Sequence, residues 1–447
     1  MKKIRSEEEK LLARVSWRLL PFLLVLYIVS YLDRINLSFA ALEMNAQLKF
    51  SDQVFSLGAG IFFLGYCLFG IPSNVVIKRL GPRRWISTIM VAWGIVTVAM
   101  CLVKDALSFY VLRFTLGATE AGFFPGMLLY LTFWFPPKQY GTAVARFMSA
   151  IPLAGLLGSF VAAKAFEING LWGLEGWKWL FIVTGVPAIA LGIAVLFLLP
   201  DRPHQARWLS AEQKSMLENL LASHASQSLA SQSNLSNSDD AKSNEQLSVW
   251  ATLKNLVVWR FALLYFSTTV CMYGFQLWLP QIIKTFGSAT NSSVAMLSAI
   301  PALMQALGML VIAASSDRSG ERRYHVVASS GITVLGLVAA TYLPDSLKLA
   351  GLSLAAFGIW GTVGPFWALT RSSLSVPAQP TGLAFINSVG NLGGFVGPML
   401  IGLIKHVTGS YAGGEFGSAL LLLASTAVFT AFLAITTKVE NKSKAAV

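Results

Sequence analysis

The sequence predicts an all-α membrane protein of twelve transmembrane helices in two pseudo-symmetric six-helix halves. Three observations predict it: a composition too apolar for a water-soluble fold, apolar runs long enough to cross a bilayer, and a basic turn motif that occurs twice. Of the 447 residues, 55% are hydrophobic and 12% charged, with a mean hydropathy of +0.62. Soluble domains carry roughly 25% charged residues.

The apolar runs place spans near 18–41, 55–77, 84–103, 107–134, 143–165, 177–199, 257–280, 293–314, 325–343, 348–370, 380–405 and 415–436. Each has the length needed to cross a ~30 Å hydrocarbon core. The net charge of +13 does not make the chain a nucleic-acid binder, because its cations sit in short loops rather than on one face. Segments on the N-terminal side of the bilayer hold 25 Lys and Arg and the alternate loops hold 7, while Arg34 and Arg113 lie within spans. The positive-inside bias puts both termini in the cytoplasm. No cleavable leader is evident ahead of the first span. Cys67, Cys101 and Cys271 fall inside apolar spans without metal-ligand spacing and read as packing residues.

The resulting organisation is a cytoplasmic segment 1–17, a six-helix half 18–199, a linker 200–256, a second half 257–437 and a tail 438–447. Ser, Asn and Gln dominate Ser223 to Gln246, a composition that cannot bury a core and predicts a flexible connection. The repeat lies in the turns after spans two and eight. Lys78-Arg79-Leu80-Gly81-Pro82-Arg83-Arg84 matches Asp317-Arg318-Ser319-Gly320-Glu321-Arg322-Arg323 as Arg-x-Gly-x-Arg-Arg. The glycine permits a tight turn, and the cations can pair with acids or helix C-termini. Arg79, Arg83, Asp317, Arg318 and Arg322 are therefore candidate elements of a conformational gate. Duplicated halves with a binding site between them are a common transporter plan.

Four acidic or basic residues stand inside spans away from the span ends: Asp33 and Arg34 on span one, Arg113 and Glu120 on span four. Each costs at least ~2.5–3.5 kcal/mol near the bilayer centre, so it needs a partner or a function. Asp33 lies ~22 Å along span one, and Arg113 and Glu120, at i and i+7, share a face of span four. One reading is a purely structural ion-paired lock. The other is coupling of an anion to protons. A guanidinium captures a carboxylate in bidentate fashion, and carboxylates in a low-dielectric cavity gain and lose protons near neutral pH. Gly117, Gly122 and Gly126 flank Glu120 and would let helices approach closely.

The paired Arg-rich turns resemble those of the major facilitator superfamily across the whole chain. Tyr31-Leu32-Asp33-Arg34-Ile35-Asn36, Pro72-Ser73-Asn74, Arg113-x6-Glu120, Leu199-Pro200-Asp201-Arg202-Pro203 and Asn387-x3-Asn391-Leu392-Gly393-Gly394 further resemble its anion:cation symporters. That resemblance implies import of an organic anion such as a sugar acid, tartrate or an aromatic acid by a protein of the bacterial inner membrane. It implies Asp33 and Glu120 as proton sites, Arg34 and Arg113 in the anion's charge network, and Tyr31 and Asn387 as hydrogen-bonding groups. Two positions depart from the family pattern. Asn74 and Lys78 occupy the region where an acid often stands, and Met148 to Gly155 carries no Gln where sugar-acid carriers have one. The second departure favours a less hydroxylated anion.

In the second half the candidates are polar or aromatic. Asn387 and Asn391 share a face at i, i+4, Tyr273 and Gln276 share one at i, i+3, and Trp360 and Trp367 form one stripe with Trp367 as a candidate cavity wall. The expected partners are a small organic anion, protons and the lipid bilayer, with no nucleic acid, metal or cofactor. One chain holds a complete pathway, so a monomer is the expected unit. A drug or cation exporter of the same fold and a non-transporting sensor are the alternatives. No Ser/His/Asp set, metal cluster or phosphate-cradling loop points to an enzyme.

Overall fold

A computed structural model describes residues 2–233, 254–287, 290–374, 378–411 and 426. The first half contains α1 (Lys2–Gln47), α2 (Asp52–Leu80), α3 (Pro82–Ala99), α4 (Ala106–Glu120), α5 (Phe123–Thr132), α6 (Pro137–Met148), α7 (Ala150–Glu167) and α8 (Gly176–Leu198). After α9 (Ala211–Ser233) come α10 (Leu256–Lys284), α11 (Asn291–Ser319), α12 (Arg323–Tyr342), α13 (Asp345–Ser373) and α14 (Gln379–Thr408). Among the described residues, 10 helices have the length and apolarity to cross a membrane. The expected span near 415–436, apart from residue 426, and the tail 438–447 lie outside the described residues.

Two predicted spans are broken. The span expected over 107–134 is α4 and α5 separated by a turn at Ala121–Gly122. Pro125 has no N–H to give the carbonyl of Ala121, so the helical ladder fails one turn before it. The span expected over 143–165 is α6 and α7 meeting at Ser149, and Pro152 withholds the same bond from Met148. Glu120 consequently ends a helix rather than sitting in the middle of one.

The N-terminal segment and the linker also differ from expectation. α1 begins at Lys2 as one 46-residue helix, well beyond the ~20 residues a bilayer needs, and its extension buries Leu11, Leu12 and Val15. α9 continues to Ser233, into the stretch read as flexible, because its start has an apolar side. Leu217 is fully buried, and Arg14 of α1 donates to Gln213 at 3.3 Å. Residues 234–253 lie outside the described residues.

Helix ends follow local chemistry. Ser51 accepts from the N–H of Val54 to cap α2, and Asp105 forms a capping box with Ser108 at α4. Gly81 (φ 80°) and Gly320 (φ 68°) take the positive-φ turns that the repeated motif requires. Leu68, Leu102, Leu107, Phe197, Leu310 and Leu335 are exposed, as an outer surface in contact with lipid tails demands.

Close packing depends on small residues. α2 packs on α4, α11 on α13, and α2 on α14. A Cβ at Gly65 would lie 2.3 Å from the carbonyl oxygen of Phe114, and one at Gly308 would lie 2.1 Å from that of Phe357. The same glycine-to-backbone contact therefore holds α2–α4 and α11–α13 together. Gly117 is tighter, with its Cβ position 1.9 Å from the Phe62 carbonyl oxygen. Gly117→Ala should lower the melting temperature of the purified protein, at a cost of about 1–3 kcal/mol from overpacking. Gly141→Ala, where a Cβ meets nothing within 4 Å, should leave it unchanged or slightly raised.

Candidate functional site

The centre of the site is an ion pair between Arg34 of α1 and Glu120 of α4. Arg34 Nε donates to Glu120 Oε1 at 2.7 Å, with the two side chains 13% and 1% exposed. Ser30, one turn before Arg34, donates from its hydroxyl to the same oxygen at 2.8 Å. The guanidinium lies 5.0 Å from the ring centre of Tyr66 and 5.9 Å from that of Phe62. The phenol of Tyr273 on α10 also faces it. Burying a charge pair without further partners is costly, and this pair is not saturated. Arg34 Nη2 and Glu120 Oε2 are buried without hydrogen-bond partners. Those two atoms leave one donor and one acceptor for a bound molecule or a proton.

Next to the pair, Tyr31 donates its hydroxyl to Gln276 Oε1 at 3.1 Å, linking α1 to α10, with Trp360 of α13 beside it. Phe63 and Tyr273 pack with ring centres 4.4 Å apart. The site thus draws on helices from both parts of the chain.

Asp33 and Arg113 take other positions. Asp33 is 1% exposed and points to α3 and α8, where Thr97, Trp93 and Thr184 surround it. Asn36 donates to Asp33 Oδ1 at 3.4 Å and to Thr184 Oγ1 at 2.9 Å, while Asp33 Oδ2 has no partner. Adjacent residues on a helix diverge by ~100°, which is why Asp33 and Arg34 face different neighbours. Arg113 is 2% exposed and donates to the carbonyls of Gly58 (3.2 Å) and Ala59 (3.4 Å), with its guanidinium 4.8 Å from the Phe62 ring centre. Phe62 therefore lies between the two arginines, and Arg113 is held by backbone on α2 rather than by a carboxylate.

Of the residues singled out on α13 and α14, Trp367 is half-buried and packs edge-on against Tyr265 at 4.9 Å. Asn387 is exposed and Asn391 half-buried. They are not drawn into the Arg34–Glu120 network. Sequence reasoning passed over Ser30, Tyr66 and Thr184. Ser30 precedes Arg34 by four residues, so its place on the same face was readable, but nothing in the sequence marks Tyr66 or Thr184.

The duplicated turns make bonds within their own neighbourhood. Asp317 pairs with Arg322 at 2.5 Å, and Arg322 also donates to Ser316 Oγ at 3.0 Å. Burial alone would push the pKa of Glu321 up, but the N–H of Tyr324 and the ring of His325 prevail and hold its carboxyl below the usual carboxylate range. In the first copy, the N–H of Arg83 donates to Asp201 Oδ1 at 2.9 Å. Asp201, from the Leu199–Pro203 motif, thus supplies at the α3 N-terminus the acid that its own turn lacks, as Glu321 does at α12. Arg79 and Arg318 are exposed.

At the opposite end of the bundle, bonds tie the early helices to the late ones. Glu43 of α1 accepts from Asn291 of α11 and from the N–H of Trp177, both at 3.1 Å. Lys405 of α14 donates to Asp52 of α2 at 2.6 Å.

The family model described as Major Facilitator Superfamily matches residues 23–398. A protein named "Putative tartrate transporter" from Agrobacterium vitis is 43% identical over 429 residues, covering 96% of this chain and 92% of that one. A "Quinolone resistance transporter" from Acinetobacter baumannii is 37% identical over 419 residues, covering 93% of each. Among solved structures, an inward-facing, unoccupied bacterial homologue of the human lysosomal transporter Spinster superposes with a TM-score of 0.74. It is 16% identical and covers 92% of this chain and 96% of its own, a likeness of fold.

The geometry predicts strong coupling between Arg34 and Glu120. Arg34→Met alone strands a buried carboxylate and should cost about 3–5 kcal/mol. Adding Glu120→Met should recover most of that loss, as read from thermal unfolding of the two single variants and the double variant.

Proposed function

This chain belongs to the Major Facilitator Superfamily, and on that premise we propose that it imports an organic carboxylate anion together with protons by alternating access. It is a multi-pass membrane transporter rather than an enzyme. The observation that carries the reading is the buried, unsaturated Arg34–Glu120 pair. A proton on Glu120 removes the internal counter-ion and frees Arg34 to bind a carboxylate, while loss of that proton restores the pair and expels the anion. Tyr31, Tyr66, Tyr273 and Gln276 surround the guanidinium with groups that can orient an oxyanion or its hydroxyls. Asp33, buried among hydroxyls with one free oxygen, serves as a second proton site.

Arg113 acts in this scheme as part of the positive surroundings of the pair, one ring away across Phe62. Trp367, Asn387 and Asn391 contribute in a conformation that brings α13 and α14 closer to α1. The Arg-rich turns with Asp317 and Asp201 form the cytoplasmic gate, with both termini on that side. Glu43–Asn291 and Asp52–Lys405 form the outer one. The tartrate-named relative and the arginine favour a carboxylate. The quinolone-named relative favours a second reading, efflux of a larger drug by the same fold.

Reconstitution in vesicles with an inward proton gradient separates the two. Uptake of one member of a panel of tartrate, sugar acids, short dicarboxylates and aromatic acids should follow the gradient. It should fall to background in Glu120→Gln and in Arg34→Gln. Expulsion of drugs with no anion uptake would replace import by efflux.

A further inference from the structure

A cavity of about 520 Å³ opens at the end of the bundle closed by the Glu43 and Lys405 bonds, walled by α1, α10, α12, α13 and α14. Three lysines line it: Lys284, Lys348 and Lys405. By sequence, the segments of this polarity hold only 7 Lys and Arg, so three of them converge on one hollow. Among its described lining residues none is acidic, and Asn45, Gln281 and Tyr411 add polar groups.

Two of these lysines pair with acids that are not among the lining residues. Lys405 donates to Asp52 at 2.6 Å and to the Tyr411 hydroxyl at 2.7 Å, and Lys348 lies 2.7 Å from Asp345. An ammonium has three protons to donate, so each keeps capacity for a ligand in the hollow. Gln281 Nε2 is a further buried donor without a partner. Helix C-termini attract cations, which accounts for Lys284 and Lys405 in the last turns of α10 and α14. It does not account for Lys348, in the opening turns of α13, where the helix dipole opposes a cation.

We infer that this hollow is a second anion site, an outer vestibule that holds a carboxylate or phosphate oxyanion apart from Arg34. It rests on the proposed import only for the identity of the physiological anion. Its place at the outer gate means that an anion collected there meets the Asp52–Lys405 bond before it meets the central pair, so anion binding and gate closure draw on the same amine.

Lysine acetylation read by mass spectrometry tests it in lipid nanodiscs, where both faces are accessible. In phosphatidylcholine discs, millimolar tartrate, succinate or inorganic phosphate should slow modification of Lys284 and Lys348 about threefold or more, the effect of an occupancy of about two-thirds or above. Lys104 and Lys164, outside the hollow, should not change. Protection by phosphatidylglycerol without added solute would support the site and assign its oxyanion to lipid headgroups. Protection by neither solute nor lipid overturns the inference. Lys348→Gln should weaken the protection of Lys284, whereas Glu120→Gln should leave it intact. Protection that persists in a protein moving no anion would remove the import reading and keep the vestibule.

Discussion

A charge pair in a medium that cannot solvate it governs the arrangement of this protein. Glu120 is buried and Arg34 largely so, so each needs the other, and their helices must hold them at bonding distance. α4 must therefore stay within side-chain reach of α1, and its close packing on α2, which the Gly117 contact with the Phe62 carbonyl permits, holds it in place. The helix break after Glu120 belongs to the same constraint. Gly122 fits against Ser73 Oγ at the turn, and Pro125 ends the hydrogen-bond ladder there. Tertiary packing thus depends on a handful of small residues, and the chemistry depends on that packing.

The pair is also incompletely satisfied, which is the feature that supports the proposed transport role over a structural lock. A lock gains from using every donor and acceptor, because an orphaned buried polar atom costs about 1–3 kcal/mol. Here one guanidinium nitrogen and one carboxylate oxygen lack partners while tyrosine hydroxyls stand nearby. Such a network changes partners at small cost when a proton or an anion arrives. The relatives with transporter names share a large fraction of the chain's residues.

Much of this was legible in the sequence, and the failures have physical causes. Membrane class, helix positions and the duplicated turns follow from composition and hydropathy, because a bilayer imposes length and apolarity directly. Isolated charges in apolar runs marked Asp33, Arg34, Arg113 and Glu120. Helical spacing could place Arg113 and Glu120 on one face but could not say which neighbour that face meets, and Arg113 turned to the carbonyls of Gly58 and Ala59. The breaks at Ala121–Gly122 and Ser149 were hidden because continuous apolarity outweighed single prolines. Asp201 acquired its role only through folding, which brought it to the first turn of α3, 118 residues away from Arg83.

The adjacency of Asp33 and Arg34 offers a physical route for coupling. Consecutive residues on α1 diverge by ~100°, so a single rigid helix presents an acid to α3 and α8 and a cation to α2, α4 and α10. A change of charge at Asp33 alters how α1 sits against Thr184 and Trp93. Any rotation or shift of α1 moves Arg34 by the same rigid-body displacement relative to Glu120 and the Tyr31–Gln276 bond. Because Gln276 belongs to the later helices, that displacement reaches the interface that must open and close. In the proposed import, a proton on one face of α1 and an anion on the other are therefore linked through one helix, without a chain of intervening side chains.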